Sequence, residues 1–359
     1  MNWPEHGGQP DLMKKLLEAE DLEVLDFSAN LNPLGPPEWL QGELEDQWKK
    51  LLCYPDPNYT FSTSALAWME RIDDDGILLT NGGAEAIFLA AKYFEGKSAG
   101  IVHPAFSEYE RACRHYHLQV TDFITSPVDD FRLPMNQLLK AMPDLDVLFL
   151  CRPNNPTGMV IPKTEIKMLL EQGLHDHTFL VIDEAFVDFV PSESLTPLLK
   201  EYPNLILLRS LTKMFTIPGL RLGYMMASEA VINEMKSFQV PWSVNALASA
   251  IAPLLLRDKH FVGHTVRWLD GQTRNLKDFG DKNDFYLSNT SVNFYLLQDN
   301  RNPQKTETLF SFLFQHGILA RHTYNFKGLE GSHLRLAIRS EEENAKLLAI
   351  LKKWRESVW

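Results

Sequence analysis

Residues 147–186 read VLFLCRPNNPTGMVIPKTEIKMLLEQGLHDHTFLVIDEAF. An apolar run, VLFLC, gives way to a loop of proline, asparagine and glycine, then to an amphipathic stretch, TEIKMLLEQG, and then to a second apolar run, FLVI. Apolar runs without polar alternation are strands buried on both faces, and a helical crossover between them makes the pair parallel. The alternation continues outward on both sides. GILLT (76–80), GIVHP (100–104), LILLRS (205–210) and RLGYMMA (221–227) are further strand candidates. Helical patterns separate them at EAIFLAAKYF (85–94), SEYERACRHY (107–116) and PLLKEY (197–202). The whole predicts an α/β fold with a doubly wound, mostly parallel sheet.

After Pro241 the texture changes. Residues 245–279 read as one long helical region, interrupted or kinked at Pro253. A strand (SVNFYLL, 291–297), a helix (TETLFSFLFQHG, 306–317), two strands (ILARHT, 318–323, and HLRLAIRS, 333–340) and a closing helix from Glu341 to Glu356 follow. The chain therefore divides into an N-terminal arm over 1–45 packing on the smaller unit, a large unit over 46–244, and a smaller α+β unit over 245–359.

The 359 residues carry 35 Lys and Arg against 47 Asp and Glu, a net charge of −12, which argues against a nucleic-acid partner. The N-terminus has neither a basic region nor an apolar core of a signal peptide, and no apolar run has membrane-spanning length. A cytoplasmic, membrane-free protein is expected. Cys53, Cys113 and Cys151 are far apart and form no C-x-x-C pair. His115 with His117, and His175 with His177, have a spacing that opposes a shared helical ligand face, so no metal is expected.

Ligands of open parallel sheets lie beyond the carboxyl ends of the strands. NGGAEAIF after GILLT places two glycines before a helix, a cup for an anion or a plain turn. The dinucleotide and P-loop patterns are absent. RPNNPTG after VLFLC can point an asparagine at a ligand or form an Asx-turn. Asp183 ends FLVI, where it pairs with a cation or caps the next turn. In SLTKMFTIPGLRLGY (210–224), Lys213 lies between a strand, Met214, Phe215 and a Pro-Gly turn; burial there frees its amine for imine chemistry. An amine, an anion cup with hydroxyls and a cation, a carboxylate and an aromatic face are what pyridoxal 5'-phosphate needs.

With NNPTG at 154–158, DEAF at 183–186 and S-L-T-K with Arg221 eight residues on, the sequence resembles the fold-type I pyridoxal-phosphate enzymes of the class I/II aminotransferase superfamily, over nearly its whole length. Two branches are similar, the histidinol-phosphate aminotransferases and the threonine-phosphate decarboxylases of cobamide biosynthesis. HGG (6–8), LDFSANLNPLG (25–35), SLTKMFTIPGLRLGY and NFKGLEGSHLRLAIR (325–339) favour the second.

The resemblance implies a role for each matched residue. Lys213 would form the imine with the cofactor and shuttle protons, Asp183 would pair with the pyridinium nitrogen, and Asn155 would bond the ring 3-oxygen. Phe106 would stack on the ring. Backbone amides of Gly83 and Ala84, with Ser210, Thr212 and Arg221, would hold the phosphate. Tyr54, in YPDP, would reach the cofactor of a neighbouring subunit, which implies a homodimer. Phe186 stands where many aminotransferases have tyrosine, as in the decarboxylase branch. Arg335 would bind the substrate carboxylate, with Arg321, Asn30 and His6 at the rest of the substrate; Arg339 is as readily a surface residue.

The activity so implied is decarboxylation of L-threonine O-3-phosphate to (R)-1-amino-2-propanol O-2-phosphate, a lyase acting on a small phosphorylated amino acid. Transamination of histidinol phosphate or another amino acid is the enzymatic alternative. A catalytically silent binding module is the non-enzymatic one, opposed by the intact Lys213, Asp183 and Asn155.

Overall fold

The computed structural model describes residues 3–357. In chain order the strands are β1 (Leu25–Asp26), β2 (Ile77–Thr80), β3 (Ser98–His103), β4 (Gln119–Ile124), β5 (Val147–Cys151), β6 (Phe179–Asp183), β7 (Leu205–Ser210), β8 (Gly223–Met226), β9 (Phe285–Leu287), β10 (Phe294–Asp299), β11 (Ile318–Leu319), β12 (Arg321–His322) and β13 (Leu334–Ala337). Seven of them form one sheet in the order β2-β8-β7-β6-β5-β3-β4. Strands β3 to β7 run parallel, whereas β8 pairs antiparallel with both β7 and β2. Every residue of β2, β5, β7 and β8 is buried, which is why these segments read as continuous apolar runs. Each fully buried Leu or Ile contributes about 1.5–3 kcal/mol, so the sheet is a rigid platform for whatever its loops carry.

β4 was not legible in the sequence. It is one of the two edge strands, and Gln119, Thr121 and Asp122 face solvent, so it lacks an apolar run.

The expected break at Pro253 is corrected: the helix Ala246–Arg257 runs through it, and the next helix, Lys259–Lys282, begins beyond Asp258. Proline deprives the carbonyl four residues earlier of its donor, and here the Ser62 hydroxyl donates to the Ser249 carbonyl at 2.7 Å instead. The real break comes where Asp258 caps the second helix through the Phe261 N–H.

β9, β10, β12 and β13 make a second sheet in the order β12-β13-β10-β9. The segment 318–323, read as one strand, is two short pieces. β11 pairs parallel with β1, Leu25 opposite Ile318, and β12 joins β13. The Phe27 carbonyl then accepts from Ala337 N–H, which carries the following residues, Ser28 to Asn32, along β13 toward the end of the large sheet.

Candidate active site

β5 and β6 end level, Cys151 opposite Asp183, and β7, whose Leu208 lies opposite Asp183, runs on to Ser210. Beyond these ends lies a cavity of about 370 Å³. Lys213, Asp183, Gly83, Ala84, Phe106, Asn155, Ser210, Thr212 and Arg221 all line it, as do His6, Asn30, Arg321 and Arg335. Two residues stand elsewhere. Tyr54 is 84% exposed, its ring 5.2 Å from that of Trp242. Arg339 does not reach the cavity, and its guanidinium pairs with Glu343 at 2.8 Å.

Lys213 sits in the short helix Leu211–Met214 directly after β7. Its backbone carbonyl accepts from Asn32 N–H, and among the described residues no carboxylate stands within ion-pair distance of its amine. Burial first, then the charges of Arg335 and Arg221, lower its pKa to about 8, against the opposing pull of Asp183. A far larger share of the amine is then neutral near physiological pH than in an ordinary lysine, although the ammonium still predominates.

Asp183 is held by the Tyr109 hydroxyl, which donates to Oδ2 at 2.7 Å, and by Ala185 N–H, which donates to Oδ1 at 2.8 Å. Burial pushes its carboxyl up and these two donors pull it down. Tyr109 was missed in the sequence. Its signal was its place in SEYE, one helical turn after Phe106 in a loop that follows a strand.

The helix Gly82–Tyr93 points its N-terminus at the cavity. Gly82 has φ +79°, and a Cβ there would lie 2.5 Å from the Arg221 Nη2, so only glycine lets that guanidinium lie against the helix end. The Ser210 and Thr212 hydroxyls are 2.8 Å apart at the same place. Free backbone N–H groups, two hydroxyls and a guanidinium fit a phosphate.

On the other wall, Arg335 donates from Nη1 to the Asn155 side-chain oxygen at 2.6 Å and from Nη2 to the Ser28 carbonyl at 2.8 Å; its Nε is buried without a partner, as is the Asn30 side-chain oxygen. Arg321, opposite it on β12, donates to the Pro4 carbonyl at 3.1 Å and to Asn325 at 2.7 Å. Burial lowers Arg335 to about 9, with help from Arg321, and Arg321 to about 10. Two buried guanidiniums side by side favour an anionic ligand. Phe186 is buried with its ring 4.8 Å from that of Phe294, and brings no hydroxyl to the cavity.

An unpaired buried amine, a buried carboxylate with one hydroxyl donor, an aromatic face and a phosphate cup suit pyridoxal 5'-phosphate in residue type and in arrangement. No group of three or more His, Cys, Asp or Glu side chains able to hold a metal occurs among the described residues, and no helix there is long and apolar enough to cross a membrane.

A charge cluster that the sequence reading also missed lies beneath the cavity. Arg209 donates to Glu184 at 3.0 Å, to Asp188 at 3.2 Å and to Glu70 at 3.3 Å, all deep in the large sheet's packing. It fixes the ends of β6 and β7, and so the spacing of Asp183 and Lys213.

Comparison with known proteins agrees with this fold. The threonine-phosphate decarboxylase of Salmonella typhimurium is 36% identical over 97% of this chain and 95% of its own length. The solved histidinol-phosphate aminotransferase of Clostridium acetobutylicum superposes with a TM-score of 0.88 at 28% identity, over 93% of this chain and 100% of that one. The L-threonine-O-3-phosphate decarboxylase of Porphyromonas gingivalis gives 0.80 at 28%, over 92% and 99%. The model of the family described as aminotransferase class I and II matches residues 23–351, which span the large sheet, the lysine and both arginines, and to that family the chain belongs.

Proposed function

We propose that this chain decarboxylates L-threonine O-3-phosphate to (R)-1-amino-2-propanol O-2-phosphate, using pyridoxal 5'-phosphate. The observation that carries the reading is the pair Arg335 and Arg321, side by side on β13 and β12 with His6 at the same cavity. One guanidinium serves a carboxylate; a substrate with a second, phosphate end explains the others. The 36% identity to a threonine-phosphate decarboxylase supports the same choice.

Pyridoxal 5'-phosphate, once bound, supplies an electron sink beside the substrate Cα. The rest falls to the chain. Ser210, Thr212, Arg221 and the amides of Gly83 and Ala84 hold the cofactor phosphate. Asp183, steadied by Tyr109, holds the proton on the ring nitrogen, and Asn155 offers its amide to the ring 3-oxygen. Phe106 covers the ring. Lys213 Nζ, a nucleophile when neutral, would take part in holding the cofactor and, in its ammonium form, would deliver to Cα the proton that replaces the departing carbon dioxide.

We further propose a cytoplasmic homodimer in which Tyr54 reaches the partner subunit's cofactor. The division into a cofactor-binding unit over 46–244 and a smaller unit over 245–359, with 1–45 as an arm on the latter, is supported by the pairing of β1 with β11.

Incubation with phosphothreonine alone is the test. Many turnovers of carbon dioxide and aminopropanol phosphate are expected. A reaction that stops after one equivalent and resumes on addition of 2-oxoglutarate would establish transamination, the second reading, which the greater overlap with a histidinol-phosphate aminotransferase structure favours.

A further inference from the structure

The segment Pro4–Gly8 crosses the cavity mouth and is pinned from both sides. From the smaller sheet, Arg321 donates to the carbonyls of Pro4 and Glu5, and Asn325 donates to the Glu5 carbonyl at 3.0 Å. From the large sheet comes a single carboxylate. Glu108, the first residue of the helix Glu108–His115, lies 3.1 Å from His6 Nε2. Beneath, Gly7 rests on the Ser28 carbonyl so closely that a Cβ would lie 2.1 Å from its oxygen, and Gly8 N–H donates to the Ser28 hydroxyl at 2.8 Å.

Glu108 is an unusual residue to find here. It is only 7% exposed, its one other cation among the described residues is Arg111 at 3.4 Å, and its partner His6 lines a cavity built for anions. A buried carboxylate beside an anion site is costly unless it orders something. What it orders is the imidazole. The hydrogen bond made by one ring nitrogen decides what the other can do: in the doubly protonated ring, Nε2–H donates to Glu108 and Nδ1–H is left to donate to a phosphate oxygen. His6 packs at 5.6 Å from the Phe106 ring, so the imidazole is fixed in position as well as in the nitrogen it presents.

We infer that Glu108 is a positioning residue for substrate: it holds the His6 imidazole over the cavity mouth so that this ring meets the phosphate end of the ligand. The inference rests on the reading that the substrate is phosphorylated. A second ion pair also spans the two sheets, Lys327 to Asp122 at 2.7 Å and to Glu110 at 3.2 Å, but it is solvent-exposed and does not touch the arm. Exposed pairs of this kind contribute little. Lys327→Met therefore serves as the control for a general loosening of the cleft.

The experiment measures binding to the cofactor-loaded protein by calorimetry, with phosphoethanolamine, which has no carboxylate to lose, against ethanolamine. Glu108→Gln should weaken phosphoethanolamine about tenfold and leave ethanolamine unchanged, as loss of one charge-assisted contact predicts. Glu108→Asp should recover part of the loss. His6→Ala should lose about as much, and the double variant no more than either single one. With phosphothreonine, KM should rise while kcat stays within about twofold. Multiplying losses in the double variant, equal losses for both ligands, or the same loss in Lys327→Met would overturn the assignment. If the unsubstituted protein does not prefer phosphoethanolamine, the phosphorylated-substrate reading fails, and this inference fails with it.

Discussion

The guanidinium of Arg335 donates to the side-chain oxygen of Asn155 at 2.6 Å, across 180 positions of sequence. One residue comes from β13 of the smaller sheet and the other from the loop after β5 of the large one. The group proposed for the substrate carboxylate and the group proposed for the cofactor ring are thus fixed against each other, and the Asn155 amide nitrogen remains free for a ligand. Placement to within about 0.5 Å decides which bond a cofactor of this kind breaks, so such a tie governs chemistry as well as affinity.

Arg335 also acts on Lys213 through its charge, second only to burial. Capture of pyridoxal phosphate by cofactor-free protein needs the neutral amine, so its rate should rise with pH and level off above about 8. In Arg335→Met the neighbouring positive charge is gone, the ammonium is less disfavoured, and the plateau should begin at higher pH. Stopped-flow absorbance follows both, and borohydride should then fix the label on Lys213. An unmoved inflection would separate Arg335 from the lysine.

Tyr109→Phe removes the only side-chain donor to Asp183 among the described residues. A hydrogen bond to a charged group is worth about 1.5–3 kcal/mol, so kcat should fall by roughly tenfold or more. The sign of the pH effect follows: without that donor the ionised carboxylate is less favoured, its pKa rises further, and activity on the acid side should be lost at higher pH than in the unsubstituted protein. A pH profile of kcat decides. Retained activity with an unchanged acid limb would make the hydroxyl dispensable.

Arg209→Met leaves Glu184, Asp188 and Glu70 facing one another without their shared cation. The nearest remaining guanidinium to Glu184, that of Arg152, is 4.0 Å away. Breaking a buried pair from one side costs about 3–5 kcal/mol, far more than any exposed pair on this chain. Urea denaturation should show that loss; a change below about 1 kcal/mol would mean that the cluster is not the brace it resembles.

Tyr54, Phe61 and Ala246 line one groove, with the Trp242 ring tilted against that of Tyr54, and Tyr54 and Phe61 are largely exposed. Clustered exposed aromatics mark an interface. Sedimentation should give a dimer, and Tyr54→Phe should loosen the cofactor. A fully active monomer at assay concentration would remove the role given to Tyr54.

The sequence by itself determined the strands of the large sheet and the residues at their ends. Strands buried on both faces must be apolar throughout, so β2, β5, β6 and β7 announce themselves, and Asp183, Asn155 and Lys213 follow from lying at their ends or just past them. Those are local properties, carried by a few consecutive side chains. Tertiary structure alone decided the rest. β4 hid because Gln119, Thr121 and Asp122 give it a wet face, unlike the buried edge strand β2, and Pro253 stays helical where Ser62, distant in sequence, supplies a hydroxyl to the orphaned carbonyl. Among the candidate cations, Arg321 and Arg335 entered the cavity while Arg339 turned to Glu343. Alternation along β13 puts Arg335 and Arg339 on the same side of an ideal strand, but β13 ends at Ala337, and beyond it the chain follows its own caps. Tyr109 with Asp183, Glu108 with His6 and Arg335 with Asn155 are meetings of distant segments. Periodicity encodes which face of an element is buried, not which side chain of another element it will meet, and the site is made of such meetings.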